Sequence, residues 1–91
     1  EANISEDFRK MINSLVDEGK TCLIINMEKT EFMDSSGLGA LVSRIAATRA
    51  NGGDVRLACS SPFILNLLKM THLDKVFKRF DDVASAIKSF D

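Results

Sequence analysis

Apolar positions along this chain alternate between two periods. Phe8, Met11, Ile12, Leu15 and Val16 recur at three- and four-residue steps, which predicts an amphipathic helix over residues 4–18. Gly19 offers its C-terminal stop, and Asn3 with Glu6 offers a capping box, with Ser5 competing as cap. Residues 21–27 are then apolar at nearly every position. That is the pattern of a strand buried on both faces, and so of a central strand in a parallel sheet. Glu28 to Glu31 is a polar connection, and Phe32-Met33 is expected to return to the core. The helical period resumes over residues 36–50 with Leu38, Leu41, Val42 and Ile45, placing Arg44 and Arg49 on the wet side.

Asn51-Gly52-Gly53 ends that helix with residues that tolerate left-handed backbone. Val55, Leu57 and Cys59 alternate, predicting a strand over 54–59. Ser61 as cap and Pro62 at the first helical position open a third helix, with Ile64, Leu65, Leu67 and Leu68 packed inward. Met70-Thr71-His72-Leu73 leaves it. Residues 76–80 make a short third strand, and Asp81 or Asp82 caps a last helix striped by Val83, Ala86, Ile87 and Phe90. The order α-β-α-β-α-β-α predicts an α/β fold: a sheet of mainly parallel strands, joined by right-handed crossovers and flanked by helices. In such sheets the functional loops lie at the carboxyl ends of the strands.

One junction at that end stands out. Asp34-Ser35-Ser36-Gly37-Leu38-Gly39 joins the first strand to the second helix. Asp34, Ser35 and Ser36 supply oxygens where a helix start wants them, and sequence physics does not choose which of them caps. Gly37 and Gly39 leave the first turn almost without side-chain cover, although each glycine costs a helix roughly 0.8–1 kcal/mol against Ala. A hydroxyl is thereby presented beside free N–H groups at the positive end of a helix, a geometry that suits a phosphate. The simpler reading is a helix cap and nothing more.

Composition narrows the classes. Ninety-one residues make one domain, spanning 1–91, and 45% apolar content suffices to fold it. Twelve basic against thirteen acidic residues give no broad attraction to nucleic acid or to an anionic lipid surface. No apolar run approaches the ~20 residues of a membrane span, and no signal peptide is visible. Cys22 and Cys59 fall in predicted strands, far from any CxxC or Cys/His spacing. They read as buried reduced thiols in a cytoplasmic protein, and no metal or cofactor is called for. His72, the single histidine, reads as a loop or capping residue.

On Phe32-Met33-Asp34-Ser35-Ser36-Gly37-Leu38-Gly39 the chain resembles the STAS domain family, and within it the bacterial anti-sigma-factor antagonists. Asn51-Gly52-Gly53 before a strand, Ser61-Pro62 opening a helix and Met70-Thr71-His72-Leu73 closing it extend the resemblance over essentially the whole chain. It implies a non-enzymatic partner-switching protein that regulates transcription. The unphosphorylated form would bind an anti-sigma factor that is itself a serine kinase. Phosphorylation of Ser35 would release it, and a serine phosphatase would reset it. The partner-binding segment would be Asp34, Ser35, Ser36, Gly37, Leu38 and Gly39. The family usually starts with two strands before its first helix. This chain starts at the helix, so an N-terminally short domain with an open sheet edge and a tendency to self-associate is expected.

Three rival classes follow from the same residues. A serine hydrolase would use Ser35 or Ser36, but Gly-x-Ser-x-Gly is absent and His72 stands alone. A small-ligand or nucleotide module would use the Gly-rich helix start, without the Gly-Lys-Ser/Thr ending of a phosphate loop. A STAS regulatory module acting on a non-sigma target has the same sequence signature.

Overall fold

The computed structural model describes residues 4–91. The capping group sought at Asn3 or in the Ser5 side chain lies outside the described residues. Seven elements follow one another: α1 (Ile4–Asp17), β1 (Cys22–Asn26), α2 (Ser35–Ala50), β2 (Asp54–Ala58), α3 (Pro62–Met70), β3 (Arg79–Phe80) and α4 (Val83–Lys88). The result is an α/β fold of three parallel strands flanked by four helices, with strand order β1-β2-β3. In the β2–β3 register, Leu57 lies opposite Arg79 and Ala58 opposite Phe80.

The chain forms two compact units. Residues 4–23 and 33–54 belong to the first. There α1 packs on α2, and Ile12, Leu23, Ala40, Leu41 and Ile45 are buried. The fully buried Thr48 hydroxyl donates to the Arg44 carbonyl at 2.7 Å, so α2 buries a polar group without leaving it unpaired. Arg49 Nε donates to Asp54 Oδ1 at 2.8 Å, pairing the buried Asp54. Arg44 is not simply solvated as expected. Its guanidinium donates to Asn13 Oδ1 on α1 and ties the two helices together. Gly19 stops α1 with φ +83°.

Residues 24–32 and 55–91 form the second unit. Met27, Val55, Leu57, Ala58, Ile64, Leu68, Phe77 and Ala86 are its buried apolar side chains. Ser61 caps α3 by accepting the Ile64 N–H at 3.2 Å, with Pro62 next, as the sequence predicts. Of the two candidates, Asp82 caps α4, accepting the Ser85 N–H at 2.7 Å. Arg56 donates to the carbonyl and hydroxyl oxygens of Ser89 and lies 3.9 Å over the Phe90 ring, which fastens the end of the chain.

Several expectations are corrected. The central strand is β2, buried at four of its five positions, and not β1. A continuously apolar run need not be two-sided: in β1, Leu23 is buried, Ile24 and Ile25 are half-buried, and Cys22 is exposed. Among the described residues, β1 is paired along one edge only. The third strand shrinks to Arg79–Phe80, because the Val76 and Phe77 N–H groups turn back to the Leu73 carbonyl. Cys22 is exposed and Cys59 half-buried; both are free, but neither is a core thiol. Met11, Leu65 and Ile87, assigned to apolar stripes, are exposed. Phe32 does not return to the core, being 68% exposed.

Candidate functional site

The junction predicted to carry function begins α2. Asp34 is the N-cap, with extended backbone, and its Oδ1 accepts the Gly37 N–H at 2.9 Å. The Leu38 N–H donates to the Asp34 carbonyl at 3.0 Å and closes the first turn. A carboxylate at this place satisfies one orphan N–H and complements the helix dipole. The cap ambiguity is thereby resolved: neither serine is needed for it.

Ser35 and Ser36 occupy the first two helical positions, and both are exposed. Among the described residues, neither hydroxyl makes a hydrogen bond, nor do the two amide N–H groups. A donor-rich, uncovered helix start therefore surrounds two free hydroxyls. The glycines differ in what holds them there. A Cβ on Gly37 would meet Met33 Cγ at 3.0 Å, so Gly37 lets Met33 lie close against the turn. A Cβ on Gly39 would meet nothing within 4 Å, and Gly39 is exposed. Packing does not demand that glycine. Leu38 is half-buried, while Ala40 and Leu41 are fully inside and anchor the turn. All six predicted site residues thus share one turn, with Asp34, Ser35, Ser36 and Gly39 exposed and Gly37 and Leu38 half-exposed.

The family model described as the STAS domain matches residues 2–86. The chain belongs to the STAS domain family. Its three strands are fewer than those of the full STAS fold. An anti-sigma F factor antagonist from Paenibacillus polymyxa is 29% identical over 65 residues, which are 71% of this chain and 56% of that protein. The STAS chain thus spans little more than half the length of that relative. A crystal structure of a Thermotoga maritima protein, provisionally named an anti-sigma factor antagonist, superposes with a TM-score of 0.88 at 22% identity. It covers 93% of this chain and 74% of the other. An anti-sigma-factor antagonist (STAS) domain protein from Planctomyces limnophilus gives a TM-score of 0.82 at 23% identity over 92% of this chain and 74% of its own. At such identities the two structures establish the STAS fold.

Elsewhere in this STAS domain, His72 follows the end of α3 with φ +62°, and its N–H donates to the Lys69 carbonyl. That is the conformation of a helix C-terminal residue. No cluster of three or more potential metal ligands occurs among the described residues, and none of the described helices is long and apolar enough to cross a membrane. Sequence reasoning missed one surface feature. Phe32 and Phe63 (68% and 47% exposed) stack on each other with centroids 5.5 Å apart and planes tilted by 35°. No periodicity signals it, because Phe32 stands in a loop and Phe63 is one apolar residue in an apolar helix.

Proposed function

We propose that this STAS domain is an anti-sigma-factor antagonist, a cytoplasmic regulator of transcription that acts by binding. Its unphosphorylated form binds an anti-sigma factor that is a serine kinase. Phosphorylation of Ser35 ends the complex, and a serine phosphatase restores it. The single observation that supports this best is the free Ser35 hydroxyl at an uncovered helix start, whose capping duty Asp34 has taken over. The Paenibacillus relative, named an anti-sigma F factor antagonist, points the same way. Geometry leaves Ser35 and Ser36 equivalent as acceptors; the resemblance favours Ser35.

The switch follows from charge. A phosphate adds about −1.5 to −2 charges at neutral pH. On an isolated helix start it is accommodated, with roughly 0.3–1 kcal/mol of favourable dipole interaction. Beneath a docked partner it sits beside the Asp34 carboxylate and must be desolvated. A penalty of about 2.7 kcal/mol already weakens a complex a hundredfold, and an unpaired buried charge costs more. The modification therefore dissociates a complex without unfolding the domain.

Incubation with the purified serine-kinase anti-sigma factor of the source organism and ATP, followed by intact-mass and fragment spectrometry, tests this reading. One phosphate on Ser35, absent from Ser35→Ala and retained in Ser36→Ala, is expected. Phosphate on Ser36, or none at all, overturns the assignment.

A further inference from the structure

A cavity lies wholly within the second unit, at the carboxyl ends of β2 and β3. It measures about 260 Å³ and is lined by Cys59 and Ser60, which follow β2, by Arg79, Phe80 and Asp81 at the end of β3, and by Leu65 of α3. The carboxyl ends of parallel strands are where open α/β sheets receive ligands. The two strand ends are fixed to each other here, because the Cys59 N–H donates to the Phe80 carbonyl at 3.0 Å. Cys59 does so with φ +61°, a left-handed backbone that a residue with a side chain adopts only where its surroundings impose it.

The polar lining is uncommitted. Arg79 and Asp81 carry opposite charges two residues apart, yet no ion pair joins them. Among the described residues neither side chain has a hydrogen-bonding or charged partner. The Ser60 and Asp81 N–H groups donate to nothing among the described residues. The Ser60 hydroxyl donates to the Met27 sulfur at 3.6 Å, a weak acceptor, and its own lone pairs stay open. Phe80 is half-buried and Leu65 is 36% exposed, which gives the cavity apolar surface.

That lining selects its occupant. A simple anion is attracted by Arg79 and repelled by Asp81, and a simple cation meets the reverse. A molecule carrying both charges satisfies both side chains. Its carboxylate accepts from the Arg79 guanidinium, while its ammonium donates to the Asp81 carboxylate and the Ser60 hydroxyl. Volume sets the size. Pockets for drug-sized ligands run from roughly 300 to 1,000 Å³, so a cavity of about 260 Å³ suits one amino acid rather than a nucleotide.

We propose that this cavity binds a free α-amino acid with an apolar side chain. Arg79 and Asp81 hold its two charged groups, and Phe80 and Leu65 receive its side chain. The site is independent of the reading of Ser35 and gives the domain a small-molecule input.

Titration of the isotope-labelled chain with L-leucine, followed in amide NMR spectra, is the test. Saturable shifts at Ser60, Arg79, Phe80 and Asp81 are expected by millimolar concentration. Isocaproate keeps the carboxylate and lacks the ammonium; isoamylamine does the reverse. Each should bind about tenfold or more weakly, as should L-leucine to Arg79→Gln and to Asp81→Asn, because each change removes a charge-assisted hydrogen bond. Lys75→Gln, an exposed charge outside the cavity, should bind as wild type. Arg79 and Asp81 are exposed, so both variants should fold, and the same spectra verify it. The cavity's own thiol supplies a second readout: in Cys22→Ser, L-leucine should slow the alkylation of Cys59 by iodoacetamide. The absence of saturable shifts at these residues, equal affinity for L-leucine and isocaproate, or unchanged binding by both charge variants overturns the proposal.

Discussion

Asp34 Oδ1 holds the Gly37 N–H at 2.9 Å, and that bond releases Ser35 from structural duty. Under the proposed function, a hydroxyl that takes phosphate must not also hold its helix together, and the cap at Asp34 fits that requirement.

The separation is measurable. Asp34→Ala is expected to cost about 0.5–2 kcal/mol, the usual loss for an N-cap. Ser35→Ala, at an exposed position without a hydrogen bond, should stay within about 0.5 kcal/mol of wild type. Urea denaturation of both variants checks this. A larger loss for Ser35→Ala than for Asp34→Ala would reverse the assignment of the cap.

Gly39 and Gly37 should behave differently. Gly39→Arg meets open space and replaces a poor helix former, so the circular dichroism spectrum should be kept and stability unchanged or raised by up to about 1 kcal/mol. Binding of the anti-sigma factor should nonetheless be abolished, because the new side chain stands on the bare turn. Gly37→Ala should fold with a displaced Met33 side chain, visible as shifted Met33 methyl resonances in an NMR spectrum.

Among the glycines, Gly53 at the entry to β2 is the least tolerant of a Cβ. A Cβ on Gly53 would lie 1.9 Å from the Thr21 carbonyl oxygen, which also accepts the Asp54 N–H at 2.8 Å. Relief requires the strand to move. Gly53→Ala should therefore lose at least the 1–3 kcal/mol or so typical of overpacking, read as a lower denaturation midpoint.

Acid should loosen the start of α4. The Ser85 backbone N–H, and then the Ser85 hydroxyl, hold the Asp82 carboxyl below its ordinary value of 3.8. A depressed carboxylate contributes its stability above 3.8, and the contribution disappears as pH falls through the lower folded value. Exchange of the Ser85 amide, followed by NMR, should accelerate in that acid range. Asp82→Asn, which keeps an acceptor oxygen but does not titrate there, should remove the pH dependence.

Among the described residues β1 is paired along one edge only, which predicts association of the 91-residue chain. Sedimentation equilibrium should show mass rising with concentration, and Ile24→Lys, a charge on that half-buried strand, should suppress it. A monomer at all concentrations would show that the edge is protected.

Local chemistry was legible in the chain itself. Seven elements in their order, the Ser61-Pro62 start of α3, the Gly19 stop and the bare turn from Asp34 to Gly39 all follow from neighbouring residues, because caps and helical periods are satisfied within a few positions. Properties set between distant segments were not legible. Residues 21–27 promised a central strand, yet only the strand order decides which strand has two neighbours, and that strand is β2. Phe32 was assigned to the core by its apolarity. Its exposure and its pairing with Phe63 depend on where α3 lies, which no spacing around residue 32 encodes. Three oxygens competed to cap α2, and a single distance from Asp34 to Gly37 settled which of them did. Hydrophobic period reports how a segment distributes its own apolar surface; what meets that surface is fixed by the packing of the whole chain.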